Sequence, residues 1–175
     1  MNRFWLLTWS TYGTRLPGDD RGFVGRIRRS TTGERHRNNA VGVEPDRSLR
    51  GLELSARSQM KGEIVYLTQV QAELIVGEFL KTCEIRGWQL NAAAVMEDHI
   101  HLVVGVPDDP DPALLLKVFK SYASRALNDR FGDRQSATWW TASGSRRVLR
   151  DDSAVQSAID YVKNQQAPFL VWSLI

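Results

Sequence analysis

The stretch 88-WQLNAAAVMEDHIHLVVGV-106 decides how the rest of the chain is read. Gly87 breaks the pattern before it, and two apolar runs, 88–96 and 99–106, meet at the acidic pair Glu97-Asp98. Runs of this length and composition read as strands, and so short a connection makes them neighbours in one sheet. In an extended chain residues i and i+2 share a face. His99 and His101 therefore project side by side, while Ile100 and Leu102 face the opposite side, toward covering helices.

Working outward, 3-RFWLLTWSTY-12 is aromatic and β-branched and reads as a buried first strand. Thr68 is a plausible N-cap for a helix through Val70, Leu74, Ile75, Phe79 and Leu80, stopped by Gly87. The run 108-DDPDP-112 opens a second helix with Leu115, Val118, Phe119, Tyr122 and Leu127 at core-like spacing. A short strand near 146–149 precedes a last helix, opened by 151-DDS-153, running to about Gln166 and ended by Pro168. Setting aside the segment 13–61 and the last helix, the order is βαββαβ. That is a ferredoxin-like α+β plan, with an antiparallel sheet, helices on one face and an added C-terminal helix.

With 175 residues, 42% of them hydrophobic, the chain can form one proper core, so a single domain over 1–175 is expected. The segment from Gly13 to Lys61 is a loop-like insertion with little periodicity, ten arginines and six acids. Arginine far outnumbers lysine throughout, and its planar fork suits phosphate. With glycines that let backbone approach a ligand, the insertion reads as a phosphate-contacting loop. The single cysteine, Cys83, sits in an apolar helical pattern and supplies no disulfide framework, which fits a reducing compartment. The start, MNRFWLLTWSTYG, resembles neither a signal peptide nor a span, and a soluble cytoplasmic protein is expected.

Two imidazoles on one strand face can hold a metal ion with positions left open. The third histidine, His36, lies in the irregular segment, which disfavours a cupin-type set. Val103 stands where a histidine-triad nucleotidyl transferase needs a histidine, and no second His-x-Ser/Thr motif supports a phosphoesterase. The last helix, 151-DDSAVQSAIDYVKNQQ-166, offers a partner. Tyr161 lies at the edge of its Val155, Ile159, Val162 stripe, with Gln165 one turn on and small residues before it. A phenol, with its pKa near ~10, is a weak nucleophile unless a metal draws charge from the phosphodiester it attacks. Glutamine adds a neutral carbonyl oxygen to such a metal. His99, His101 and Gln165 are the candidate ligands and Tyr161 the candidate nucleophile.

With these residues in place, the chain resembles the single-tyrosine transposases of the HUH (His-hydrophobic-His) endonuclease superfamily, in the branch of REP-associated tyrosine transposases. The resemblance rests on TWSTYGTRLPGDDRG, VMEDHIHLVV, WWTASGSRRVL and AIDYVKNQ, which touch both ends and the middle of the sequence. It implies a ferredoxin-like enzyme that cuts and rejoins single-stranded DNA through a 5′-phosphotyrosine. It also implies Mg²⁺ or Mn²⁺ as the ion and hairpins of palindromic repeats as substrate. Compact relatives are dimers and REP-associated ones act as monomers, so a homodimer is one expectation. Two departures stand out: Glu97-Asp98 precedes His99 where relatives carry Pro-Asn or Pro-Asp, and the 13–61 segment is longer than in compact members. The acids either join the metal shell or shape the turn, and the turn is the reading preferred.

DNA contacts are expected from Arg15, Arg26, Arg28 and Arg29 of the insertion, Lys117, Lys120 and Arg125 of the second helix, and Arg146 and Arg147. Of Trp139 and Trp140, at least one is expected in the core rather than stacked on a base. The alternative function is a DNA-binding module of the same fold that performs no strand transfer.

Overall fold

The computed structural model describes residues 2–19, 26–28, 35–37 and 50–174. Its main sheet has five antiparallel strands: β1 (Asn2–Ser10), β4 (Gln89–Val95), β5 (His99–Pro107), β6 (Ser145–Leu149) and β7 (Leu170–Ser173). They lie in the order β6-β1-β5-β4-β7. The first four give the expected βαββαβ arrangement, with β1 and β5 central. β7 extends the sheet beyond it, so Leu170–Ser173 of the apolar tail, whose role the sequence leaves open, pair with β4 of their own chain.

Two helices cover one face, α2 (Gln69–Arg86) and α3 (Pro112–Phe131). Thr68 caps α2 as anticipated: its hydroxyl accepts from Gln71 N, and the Gln71 side chain accepts from Thr68 N. Gly87, at φ 62°, closes the helix in the left-handed region that glycine enters without strain. The buried stripe of α2 is Ala72, Ile75, Val76, Phe79, Thr82 and Cys83, whereas Val70 and Leu80 are exposed. The stripe is thus rotated from the one read off the large apolar residues and takes in Ala72 and Thr82.

Ile100 and Leu102 of β5 join this core on the side expected from strand alternation, and Val104 and Val106 continue it. Trp9, Phe79, Phe119 and Trp140 lock it by edge-to-face contacts, with centroids 5.8 Å (Trp9–Phe79), 5.3 Å (Phe79–Phe119) and 6.2 Å (Trp9–Trp140) apart. Each such pair adds ~0.5–1.5 kcal/mol beyond its buried area. Trp139 and Trp140 are both buried, and both indole N–H groups donate inside the protein.

The other face carries α4 (Asp152–Lys163), which packs on Ala92, Ala94, Met96, Val103 and Leu149 through Ala158 and Val162. Asp151 caps it by accepting from Ala154 N. The helix ends at Lys163 rather than near Gln166, so Gln165 lies past its last turn.

The segment 13–61 is not wholly irregular. It contains a small antiparallel pair, β2 (Arg26–Arg28) with β3 (Arg35–Arg37), and a helix, α1 (Arg50–Ser58). The strands are too short to show a period. α1 buries no residue, so no apolar stripe announces it in the sequence.

Candidate active site

β1 and β5 run side by side with Thr8 opposite His101 and Ser10 opposite His99. The pleat sends both histidines to the α4 face. There the imidazoles lie 5.0 Å apart and perpendicular. Each ring has its Nδ1 engaged. His99 Nδ1 lies 2.5 Å from Asp98 Oδ1, and a carboxylate only accepts, so this nitrogen carries the proton. His101 Nδ1 lies 2.7 Å from Thr8 Oγ1.

Tyr161 comes from α4. Its ring packs edge-on against His101 at a centroid distance of 5.1 Å, and its hydroxyl lies 3.5 Å from His101 Nε2, at the limit of hydrogen-bonding range. The contact forms within one chain. Tyr161 is 50% exposed, whereas His101 is 5% exposed, so the phenol stands out into solvent and the imidazole lies at the floor beneath it. Burial, and next the neighbouring His99 charge, push the His101 pKa down to about 4. At neutral pH that ring is uncharged, the state in which it can ligate a cation.

Gln165 shares a small hollow with His99 and Tyr161, but its amide nitrogen turns back 2.9 Å onto the Tyr161 carbonyl. Among the described residues no set of three His, Cys, Asp or Glu side chains gathers at one point. The donor set nonetheless suits a hard divalent ion. His99 and His101 face one groove with their Nδ1 atoms engaged, and the Gln165 amide lies in an adjoining hollow that it shares with His99 but not with His101.

Both histidines and Tyr161 open into a groove of about 2210 Å³. Small-molecule pockets occupy roughly 300–1,000 Å³, so this space suits a polymer better than a metabolite. Arg15, Lys117, Lys120, Arg125, Arg146 and Arg147 all line it. Lys117, Arg125, Arg146 and Arg147 are exposed there. Arg125 also lies over the Tyr122 ring at 5.6 Å. Lys120 is differently engaged: its ammonium donates to the Thr141 carbonyl at 2.7 Å and to Ser143 at 2.9 Å, tying α3 to the loop before β6. Burial lowers its pKa to about 8. Arg26 and Arg28 stand on β2 in register with Arg37 and Arg35 of β3, and Arg29 lies outside the described residues.

Thr8 is a site residue that the sequence does not single out, and Asp98 takes up a contact with His99 beyond the turn and metal-shell roles weighed for it. Thr8 had a signal, as a polar residue inside the apolar run 3-RFWLLTWSTY-12, but nothing in one strand tells which residue of another it will face. Asp98 was read as a turn residue, and the fold adds a contact with His99.

Residues 60–165 match the family profile described as "Transposase IS200 like". Among solved structures, the chain is similar to a candidate transposase from Deinococcus radiodurans R1, at 16% identity and a TM-score of 0.50, covering 95% of this chain and 93% of that one. It is also similar to a REP-associated tyrosine transposase bound to a REP hairpin, at 14% identity and a TM-score of 0.47. That match covers 91% of this chain, which spans 64% of the other's length. No curated protein sequence matches.

Proposed function

The chain belongs to the IS200-like transposase family, and on that premise we propose that it is a metal-dependent transposase that nicks and rejoins single-stranded, hairpin-bearing DNA. Tyr161 is the nucleophile in this reading. His99 and His101, with Gln165 after its amide turns from the Tyr161 carbonyl, would hold Mg²⁺ or Mn²⁺. When bound, the ion supplies a Lewis acid that draws charge from the scissile phosphate.

The observation that carries the proposal is the meeting of His99, His101 and Tyr161 at one end of a basic groove. Tyr161 Oη attacks phosphorus, a bond from that oxygen to phosphorus forms, and the bond from phosphorus to the 3′ oxygen breaks. The phenol proton ends on the departing 3′-OH, so no oxidant or reductant is involved. The product is a 5′-phosphotyrosine and a free 3′-OH. Because the link retains the phosphodiester's bond energy, a later 3′-OH can reverse the attack and join strands without ATP. His101 contributes its edge-on packing, which holds the phenol ring while leaving its hydroxyl in the groove.

Phosphate contacts come, in this reading, from Arg15, Lys117, Arg125, Arg146 and Arg147 along the groove, and from Arg26, Arg28 and Arg29 in the insertion of one domain covering 1–175. Lys120 adds charge from the groove wall. A hairpin oligonucleotide labelled on the 3′ side of the cleaved bond, incubated with Mn²⁺, tests the reading. Wild type should give a covalent protein–DNA band that EDTA prevents, and Tyr161→Phe should bind the oligonucleotide without forming the band. Binding with no band in wild type would instead favour a DNA-binding module without strand transfer.

A further inference from the structure

Asp98 sits between two partners of opposite kind. Its Oδ1 approaches His99 Nδ1 at 2.5 Å, and its Oδ2 faces Arg15 Nη2 at 3.5 Å. Its main chain is equally constrained. The Asp98 carbonyl accepts from Thr11 N at 2.9 Å and from the Thr11 hydroxyl at 3.1 Å, while the Thr14 hydroxyl, 3.3 Å away, is closer to the Thr11 carbonyl at 2.9 Å. Thr11, just past β1, thus grips this turn by two donors, and the carboxylate is delivered to one place. Neighbouring Glu97 differs: its side chain is exposed, and its carbonyl accepts from Leu67 N.

We infer that Asp98 is a positioning residue that fixes the tautomer and the ring plane of His99, and that Arg15 braces it by holding the far carboxylate oxygen. The inference rests on the proposed role of His99 as a metal ligand and adds the two residues that make it one. A carboxylate can only accept, so the neutral imidazole keeps its proton on Nδ1 and its lone pair on Nε2. A neutral imidazole exposed to water favours the reverse placement, with the proton on Nε2, where it would block an ion. Asp98 removes that alternative. Arg15 lines the DNA groove yet is tied to the acid beside the histidine, so its guanidinium serves the site's geometry as well as its charge. Thr8 holds the His101 ring in place at Nδ1, but a hydroxyl can donate or accept, so it orients that ring without dictating its tautomer.

The test has a metal-free arm and a metal arm. Long-range nitrogen–proton NMR on the neutral histidine rings of the metal-free protein should place the His99 proton on Nδ1. In Asp98→Ala it should move toward Nε2, and Mn²⁺ affinity measured by calorimetry should fall ~10–100-fold. Asp98→Asn keeps an acceptor oxygen and should retain the Nδ1 proton with a smaller loss of affinity. Arg15→Gln should weaken Mn²⁺ binding in the absence of any DNA, which a purely phosphate-binding arginine would not do. A wild-type His99 protonated on Nε2, a result that requires no variant to fold, overturns the inference. So does an Asp98→Ala protein that keeps both the wild-type tautomer and the wild-type Mn²⁺ affinity. Failure of the strand-transfer reading would look different: these NMR and Mn²⁺ results would stand while Tyr161 formed no adduct.

Discussion

The hydroxyl of Tyr161, on α4, lies 3.5 Å from Nε2 of His101, on β5, although 60 positions separate them in sequence. The sheet makes this possible. Val103 and Leu149 on one side and Ala158 and Val162 on the other seat α4 across β4 and β5, and Ala92 and Ala94 keep that interface thin. The site is therefore a property of packing between two elements, not of either alone.

Thr8→Val tests how His101 is held. Valine matches threonine in shape but leaves the buried His101 Nδ1 without its 2.7 Å partner. An unpaired buried polar group costs ~1–3 kcal/mol, so the urea midpoint should drop accordingly. Mn²⁺ affinity should fall ~10-fold or more by calorimetry, as when other groups that orient a ligand are removed. Unchanged stability and unchanged affinity would remove Thr8 from the site.

Lys120→Met separates a structural role from a DNA role. The ammonium bridges the Thr141 and Ser143 carbonyls, and methionine fills the stem's volume without donating. Loss of these charge-assisted bonds should lower stability by ~1–3 kcal/mol in chemical denaturation. A variant as stable as wild type would mean that the tie between α3 and the loop before β6 contributes nothing.

Much of this architecture is legible in the sequence, for identifiable reasons. Strand alternation alone puts His99 and His101 on one face and Ile100 and Leu102 on the other. Thr68, Gln71 and Gly87 mark the ends of α2 by capping chemistry that is local. What stayed hidden depends on distant partners. The tail is apolar enough for several fates, and only the open edge of β4 decides that it becomes β7. The extent of α4 was overestimated because Asn164 and Gln165 are compatible with helix. In the fold, their side-chain amides cap the Asp160 and Tyr161 carbonyls instead. Asp98 looked like a turn residue because it is one, and its second contact exists only once β1 and β5 are paired.

The basic groove makes a salt-dependent prediction. Each phosphate contact removed should reduce the slope of log affinity against log salt by ~0.7 on single-stranded DNA. Arg147→Ala, exposed on β6, and Arg125→Ala, exposed on α3, should each lower the slope by about that much while leaving stability within ~0.5 kcal/mol. Titration of a fluorescent oligonucleotide at several salt concentrations measures this. Slopes identical to wild type would place the DNA elsewhere.

Cys83 predicts an alkaline weakness. Burial pushes its thiol from 9.0 up to about 12, so between those values the unfolded chain releases a proton that the native chain retains. Stability attributable to this group is complete below pH 9 and is lost as pH rises toward 12. The stability difference between wild type and Cys83→Ala should therefore shift against wild type over that interval. A difference independent of pH would show that the thiol ionises as readily in the fold as outside it.

Tyr161 is the residue expected to form the covalent link to DNA. Peptide mass mapping of wild-type protein after reaction with a hairpin oligonucleotide and Mn²⁺, followed by nuclease digestion, reads out the attachment point. A nucleotide phosphate is expected on the peptide carrying Tyr161 and none on peptides carrying Tyr12, Tyr66 or Tyr122. A modification on one of those three tyrosines, or an adduct that persists in Tyr161→Phe, would contradict it.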